Sequence, residues 1–194
     1  MTKQEVQAKI KQYERQISQY QSEIRNLNNR ISACNNEIRR FENEIVLLNN
    51  QKSIADGELG ELVRLKGKLE ILQTNFASRQ QKRLSGFNKG TGVLSGVKFI
   101  TTYMSGMREL LSGKEYTGAY NGLSEAIEKV NKQIKEKKAQ QERIQNDLNT
   151  NKRKVDSRKS EINSARATIN QRNSDINYCK NRIRYWQEQM ASAT

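Results

Sequence analysis

From Val6 onward the apolar residues of this chain recur in alternating steps of four and three. The series runs Val6, Ile10, Tyr13, Ile17, Tyr20, Ile24, Leu27, Ile31, Cys34, Ile38, Phe41, Ile45 and Leu48. A 3.5-residue repeat keeps one apolar stripe facing a partner helix, so the pattern predicts a coiled coil. In heptad notation the a positions from Ile10 to Ile45 are all isoleucine. The register continues more weakly through Lys52, Ala55, Leu59, Leu62, Lys66, Leu69, Gln73 and Phe76.

A second stripe starts at Leu123 and passes through Ile127, Val130, Ile134, Lys137, Gln141, Ile144, Leu148, Asn151 and Val155. It continues through Arg158, Ile162, Ala165, Ile169, Arg172, Ile176, Cys179, Ile183, Trp186 and Met190. Its a positions are nearly all apolar, whereas Lys137, Asn151, Arg158 and Arg172 occupy d. Long basic side chains can lay their stems on such a seam and keep their charges in water. Polar core positions cost stability and fix register.

Two arms of similar length around a glycine-rich middle predict an all-α fold, a long antiparallel coiled-coil hairpin with a short three-helix apex. Residues 1–85 form the first arm, 86–115 a basic, glycine-interrupted apex with a short helix at 93–111, and 116–194 the second arm. Each arm would span on the order of 100 Å at the helical rise. An extended parallel homodimer is the alternative, disfavoured by the helix breakers in the middle. Val63, Leu65, Ile71 and Leu72 lie off the first stripe, which predicts a second neighbour for residues 54–76. The apolar segment 93–111 is the expected neighbour. Gly96 and Gly106 are expected to permit its close packing.

In "LLSGKEYTGAYNGL", residues 110–123, Gly113 reads as the C-cap of the middle helix and Thr117 as the N-cap of the returning arm. Tyr116, Tyr120 and Leu123 then share one face of the new helix.

Composition narrows the function classes. Hydrophobic residues make up 34% of the 194 residues and charged residues 29%, with no proline, a supply that suits a thin seam better than a compact core. The first residues have no apolar run of signal-peptide type, and no membrane-spanning run occurs. The chain has no histidine and no G-x-S-x-G elbow, and "GFNKGTG" at 86–92 lacks the GK[ST] of a phosphate loop. No enzyme, cofactor or metal site is expected. Cys34 and Cys179 occupy d positions as small core residues. With the fold-back near residue 100, Cys34 would face residues near 166, too far from Cys179 for a disulfide.

The net charge of +14 is unevenly placed. Residues 77–114 hold seven basic residues and one acid, Glu109. Nucleic acid is not the expected partner, since no aromatic platform or basic-zipper block accompanies the charge. An acidic protein partner suits the apex better. The site residues expected to meet it are Leu111, Gly113, Tyr116 and Tyr120 with Arg79, Lys82, Arg83, Arg108 and Lys114. Insertion of the apolar apex into a membrane, as in a helical pore-forming toxin component, is the competing reading.

Leu111-Ser112-Gly113, followed by Tyr116 and Tyr120, resembles the Trp-x-Gly or Leu-x-Gly corner of small helical proteins of bacterial type VII secretion. These are the WXG-type proteins and the YwqH-like partners encoded beside LXG toxins. Leu94-Ser95-Gly96 matches the tripeptide equally well. The resemblance implies an accessory partner or targeting factor for a secreted effector, cytoplasmic and exported without a signal peptide. The arms are longer than in typical members, no tryptophan marks the corner, and Tyr185 is followed by Glu188 and Gln189, which misses the Tyr-x-x-x-Asp/Glu signal. The chain also resembles the basic coiled-coil stalk proteins of type III secretion and rotary ATPases, but here the elaborated end is the bend. Either a hairpin monomer or a homodimer is compatible with the pattern.

Overall fold

The computed structural model describes residues 2–91 and 98–192, with side chains described except at 90–91, 98–101, 111–112 and 192. Three helices follow one another: α1 (Lys3–Thr91), α2 (Lys98–Ser112) and α3 (Lys114–Ser192). No strand occurs among the described residues. α1 packs against α2 and α3, which are joined end to end, so the chain is an all-α helical hairpin.

Helix α1 opens on a capping box. Thr2 N–H donates to Glu5 Oε2 at 2.8 Å, and Glu5 N–H donates to Thr2 Oγ1 at 3.3 Å. The reciprocal bonds satisfy two of the backbone donors left free at any helix start. The threonine-x-x-glutamate spacing at residues 2–5 is the sequence signal for this box.

Two compact units divide the chain. The first comprises Met1–Asn49 and Asn146–Thr194, and the second Asn50–Gln145. In the first unit Cys34, Ile38, Val155 and Ile162 form a buried cluster, with Ile31, Phe41 and Ile45 packed on it. Cys34 Sγ meets Glu161 and Cys179 Sγ meets Gln16. In the second unit Lys52 bonds Gln145, Gln141 bonds Asp56 and Gln73 bonds Ser124. Within each unit the partners lie nearly symmetrically about residue 98. The facing residue for Cys34 is therefore 161 rather than 166. Both thiols are free and buried.

The heads of the polar d residues were expected to stay in water; they are not simply solvated. Their heads reach across the seam to carboxylates. Arg172 Nε lies 2.6 Å from Glu23 Oε2, an ion pair without an aligned hydrogen bond, while Nη1 bonds Asp175 Oδ2 at 3.0 Å. Arg158 pairs with Glu37 and Glu161, and the buried Asn151 donates to Glu44 Oε2 at 3.1 Å. In the second unit Lys137 pairs with Glu58.

The region 110–123 is corrected in detail. Gly113 is a bend between α2 and α3 rather than a left-handed C-cap, for no described glycine has positive φ. Helical bonding bridges it, with Gly113 N–H donating to Glu109 O and Thr117 N–H to Gly113 O. Thr117 is no N-cap; α3 already begins at Lys114, and the Thr117 hydroxyl donates back to Gly113 O at 3.2 Å. The sequence places helix breakers there, but the i to i−4 bonds tolerate glycine and the helical path continues. α1 ends at Thr91 and α2, starting at Lys98, runs back beside it. Leu94-Ser95-Gly96 belongs to that connection and, like 93–97 of the expected helix, lies outside the described residues.

The packing expected of α2 against 54–76 does not occur. Val63, Leu65, Ile71 and Leu72 remain 45–63% exposed. α2 instead pairs with the last turns of α1, where Arg108 Nη2 donates to Asn88 Oδ1 at 3.0 Å. Gly106 mediates no close packing either: a Cβ there would meet nothing within 4 Å. Gly96 lies outside the described residues. No described helix is long and apolar enough to cross a membrane.

Candidate docking groove beside the helix connection

Phe76 is a d residue of α1, and its position is set by the seam. Its ring stacks on Tyr116 of α3, with centroids 4.9 Å apart and planes 4° from parallel. Tyr120, one turn further along α3, stacks on Tyr116 at 6.2 Å. Offset stacks of this kind add to the burial of the rings. Both tyrosines are half-buried, and Tyr116 joins α3 to α1 through its stack on Phe76.

Beside this stack a groove of about 400 Å³ opens between the helices. Phe76, Arg79, Gln80 and Arg83 line it from α1, and Leu110, Glu115 and Tyr116 from α2 and α3. The four-residue step from Arg79 to Arg83 puts both guanidinium groups on one helix face. Glu115 is the one acidic residue in the lining, so positive charge prevails around an aromatic floor. Leu110 is 62% exposed at the rim.

Of the expected site residues, Arg79, Arg83 and Tyr116 come together here. Tyr120 supports Tyr116 from behind without lining the groove. Lys82 and Lys114 are exposed but do not line it, and Arg108 is engaged with Asn88. Gly113 shapes the bend. A Cβ there would collide with the Glu109 carbonyl oxygen and carboxylate, so the close approach itself demands glycine. Leu111 lies in α2, and its side chain is outside those described.

The sequence reading passed over Phe76, Gln80, Leu110 and Glu115 as site residues. The signal available for Phe76 was its d position one turn before Arg79. Nothing local marked Leu110; the rotation of α2 relative to α1 sets it at the rim.

A second aromatic and basic cluster, also unforeseen, sits in the first unit. Tyr13 meets Tyr178 edge-on at 6.5 Å, and Arg182 lies over Tyr185 and Trp186 at 4.9 and 5.4 Å. The Tyr13 hydroxyl bonded to Arg182 raises that guanidinium's already high pKa, against the opposing effect of burial. The cluster closes the seam near both chain ends. Among the described residues no group of three or more His, Cys, Asp or Glu is arranged to hold a metal ion.

No protein-family model, curated protein or solved structure matches this chain.

Proposed function

We propose that this chain is a non-enzymatic helical-hairpin interaction protein, an accessory partner or targeting factor for a secreted bacterial effector of the type VII kind. The groove between Arg79, Arg83, Leu110 and Tyr116 carries this reading. It combines an aromatic floor, an exposed leucine and a net positive rim, features shared by protein interfaces with acidic partners. The matching ligand is an acidic segment that inserts one apolar side chain over the Phe76–Tyr116 stack. The Leu111-Ser112-Gly113 tripeptide, followed by Tyr116 and Tyr120, supports the secretion context through its resemblance to the corner of that family.

The test is co-purification of the full chain with the effector encoded beside its gene. Capture by the wild type and loss in Arg79→Glu/Arg83→Glu, with an unchanged thermal melt, is the expected result. An unrelated gene neighbourhood, or capture indifferent to both arginines, overturns it. Tyr103 and Leu110, 61% and 62% exposed on α2, favour a second reading in which α2 acts on a lipid surface. Dye release from anionic vesicles would establish that reading instead.

A further inference from the structure

A separate surface of the second unit is unaccounted for by either seam or groove. On α1, Ile54, Leu65 and Leu72 are 63%, 45% and 53% exposed. Eleven residues separate the first two and seven the last two. At about 100° per residue each step returns to the same helix face within about 20°, and the whole interval closes five turns. Val63 and Ile71 fall on other faces and are not part of this line. An apolar line with that period is what a third helix needs from its neighbour.

Leu65, the middle residue of the line, also lines a groove of about 740 Å³ between α1 and α3. Glu58, Glu61 and Leu65 form one wall, and Gln133, Glu136 and Gln140 the other. Lys137 is the one cation in the lining and is taken up by Glu58. Among the described residues Glu61 and Glu136 have no ion-pair partner. In a chain of net charge +14 the groove is therefore locally acidic. Lys68 follows one turn beyond Leu65 on α1.

We infer that the α1 face from Ile54 to Leu72, with the acidic groove beside it, docks a basic amphipathic helix supplied by another protein. The partner places apolar side chains at i, i+11 and i+18 against Ile54, Leu65 and Leu72. Its lysines or arginines meet Glu61 and Glu136, and an acidic residue opposite Lys68 sets its direction. Charge complementarity selects this occupant over a second copy of the chain docked by the same face, because that arrangement would set Glu61 and Glu136 against their own counterparts. The surface is distinct from the Arg79–Tyr116 groove, and it stands whether or not that groove binds an effector.

The test uses the full chain and a labelled synthetic five-turn helix with leucines at i, i+11 and i+18 and lysines on the groove side. Fluorescence anisotropy should show saturable binding that weakens by about tenfold or more in Leu65→Lys and in Glu61→Lys/Glu136→Lys. Arg79→Glu/Arg83→Glu should bind as the wild type does. A control helix with glutamates in place of the lysines should not bind. Circular dichroism should report equal helicity in every variant, since all the substituted side chains are exposed or half-exposed. Absent binding, equal binding by wild type and Leu65→Lys, or equal binding of the acidic helix would overturn the inference. So would wild-type dimerisation in sedimentation equilibrium that Leu65→Lys abolishes, for then a second copy is the occupant.

Discussion

Arg158 of α3 reaches across the seam to Glu37 of α1, its Nε 2.5 Å from Glu37 Oε2. The same relation joins Arg172 to Glu23 and Asn151 to Glu44, and in the second unit Lys137 to Glu58. Each acceptor occupies the heptad position immediately before an a residue of α1. Where α3 is apolar at d, as at Ala165 and Ile144, the corresponding position of α1 carries Arg30 or Gln51 instead of a carboxylate. Carboxylates thus stand where the polar d residues need them, which penalises any slipped register by leaving charges unpaired at the seam. Glu37→Arg should lower the thermal melt, whereas Asn43→Arg, on the exposed face, should leave it nearly unchanged. Equal melts for the two would show that the pair contributes nothing to register.

Ile162 is 6% exposed within the Cys34–Ile38–Val155 cluster. An aspartate there loses the packing and places an uncompensated charge against apolar neighbours. Ile162→Asp should destabilise by at least about 3 kcal/mol in chemical denaturation. Gln21→Asp, exposed on α1, should stay within about 0.5 kcal/mol of wild type.

Two glycines should respond in opposite directions to one methyl group. Gly60 lies inside α1 with open space around it, so Gly60→Ala should stabilise by about 0.5–1 kcal/mol. Gly113→Ala forces a Cβ onto Glu109 and should destabilise, with the loss visible as a lowered melting temperature. Stabilisation at both positions would mean that the bend relaxes without cost.

Tyr116 lies between Phe76 and Tyr120. Tyr116→Ala should lose both stacks and cost about 2 kcal/mol. Tyr120→Ala removes only the outer stack and should cost less. If Tyr120→Ala proves the more damaging, the order of the stack is not the order of its energetics.

Burial pushes the Cys34 thiol pKa up, assisted by the nearby Glu161 carboxylate, and burial followed by Asp175 does the same at Cys179. A raised thiol pKa leaves less thiolate at pH 8, so both should alkylate slowly in the native chain and at the free-thiol rate in urea. The linkage runs the same way. The unfolded chain ionises first as pH rises through the ordinary thiol range, so native stability falls there. Cys34→Ser/Cys179→Ser should flatten that alkaline decline. An unchanged decline would assign it to other groups.

The seam was the most legible feature. Every residue named on the two stripes, from Val6 to Phe76 and from Leu123 to Met190, is buried or half-buried. A heptad repeat is local and redundant, so one misplaced residue does not obscure it. The groove was legible in part. Arg79, Arg83 and Tyr116 were recognisable as basic and aromatic residues near a break in the pattern, whereas Leu110 and Glu115 carry no distinguishing local signal. The glycines around 113 misled, because a bend that keeps its i to i−4 bonds has the same composition as a corner.

Periodicity was enough for the helices and their apolar stripes, whereas the antiparallel return was an expectation that stood beside an extended parallel dimer. Tertiary structure decided which residues face one another. It gave the polar d residues their glutamates and set Leu110 on the rim of the groove beside Tyr116. It also left Ile54, Leu65 and Leu72 uncovered. These depend on the rotation and axial offset of two helices, quantities fixed by the fit of all the side chains together and by no single stretch of the chain.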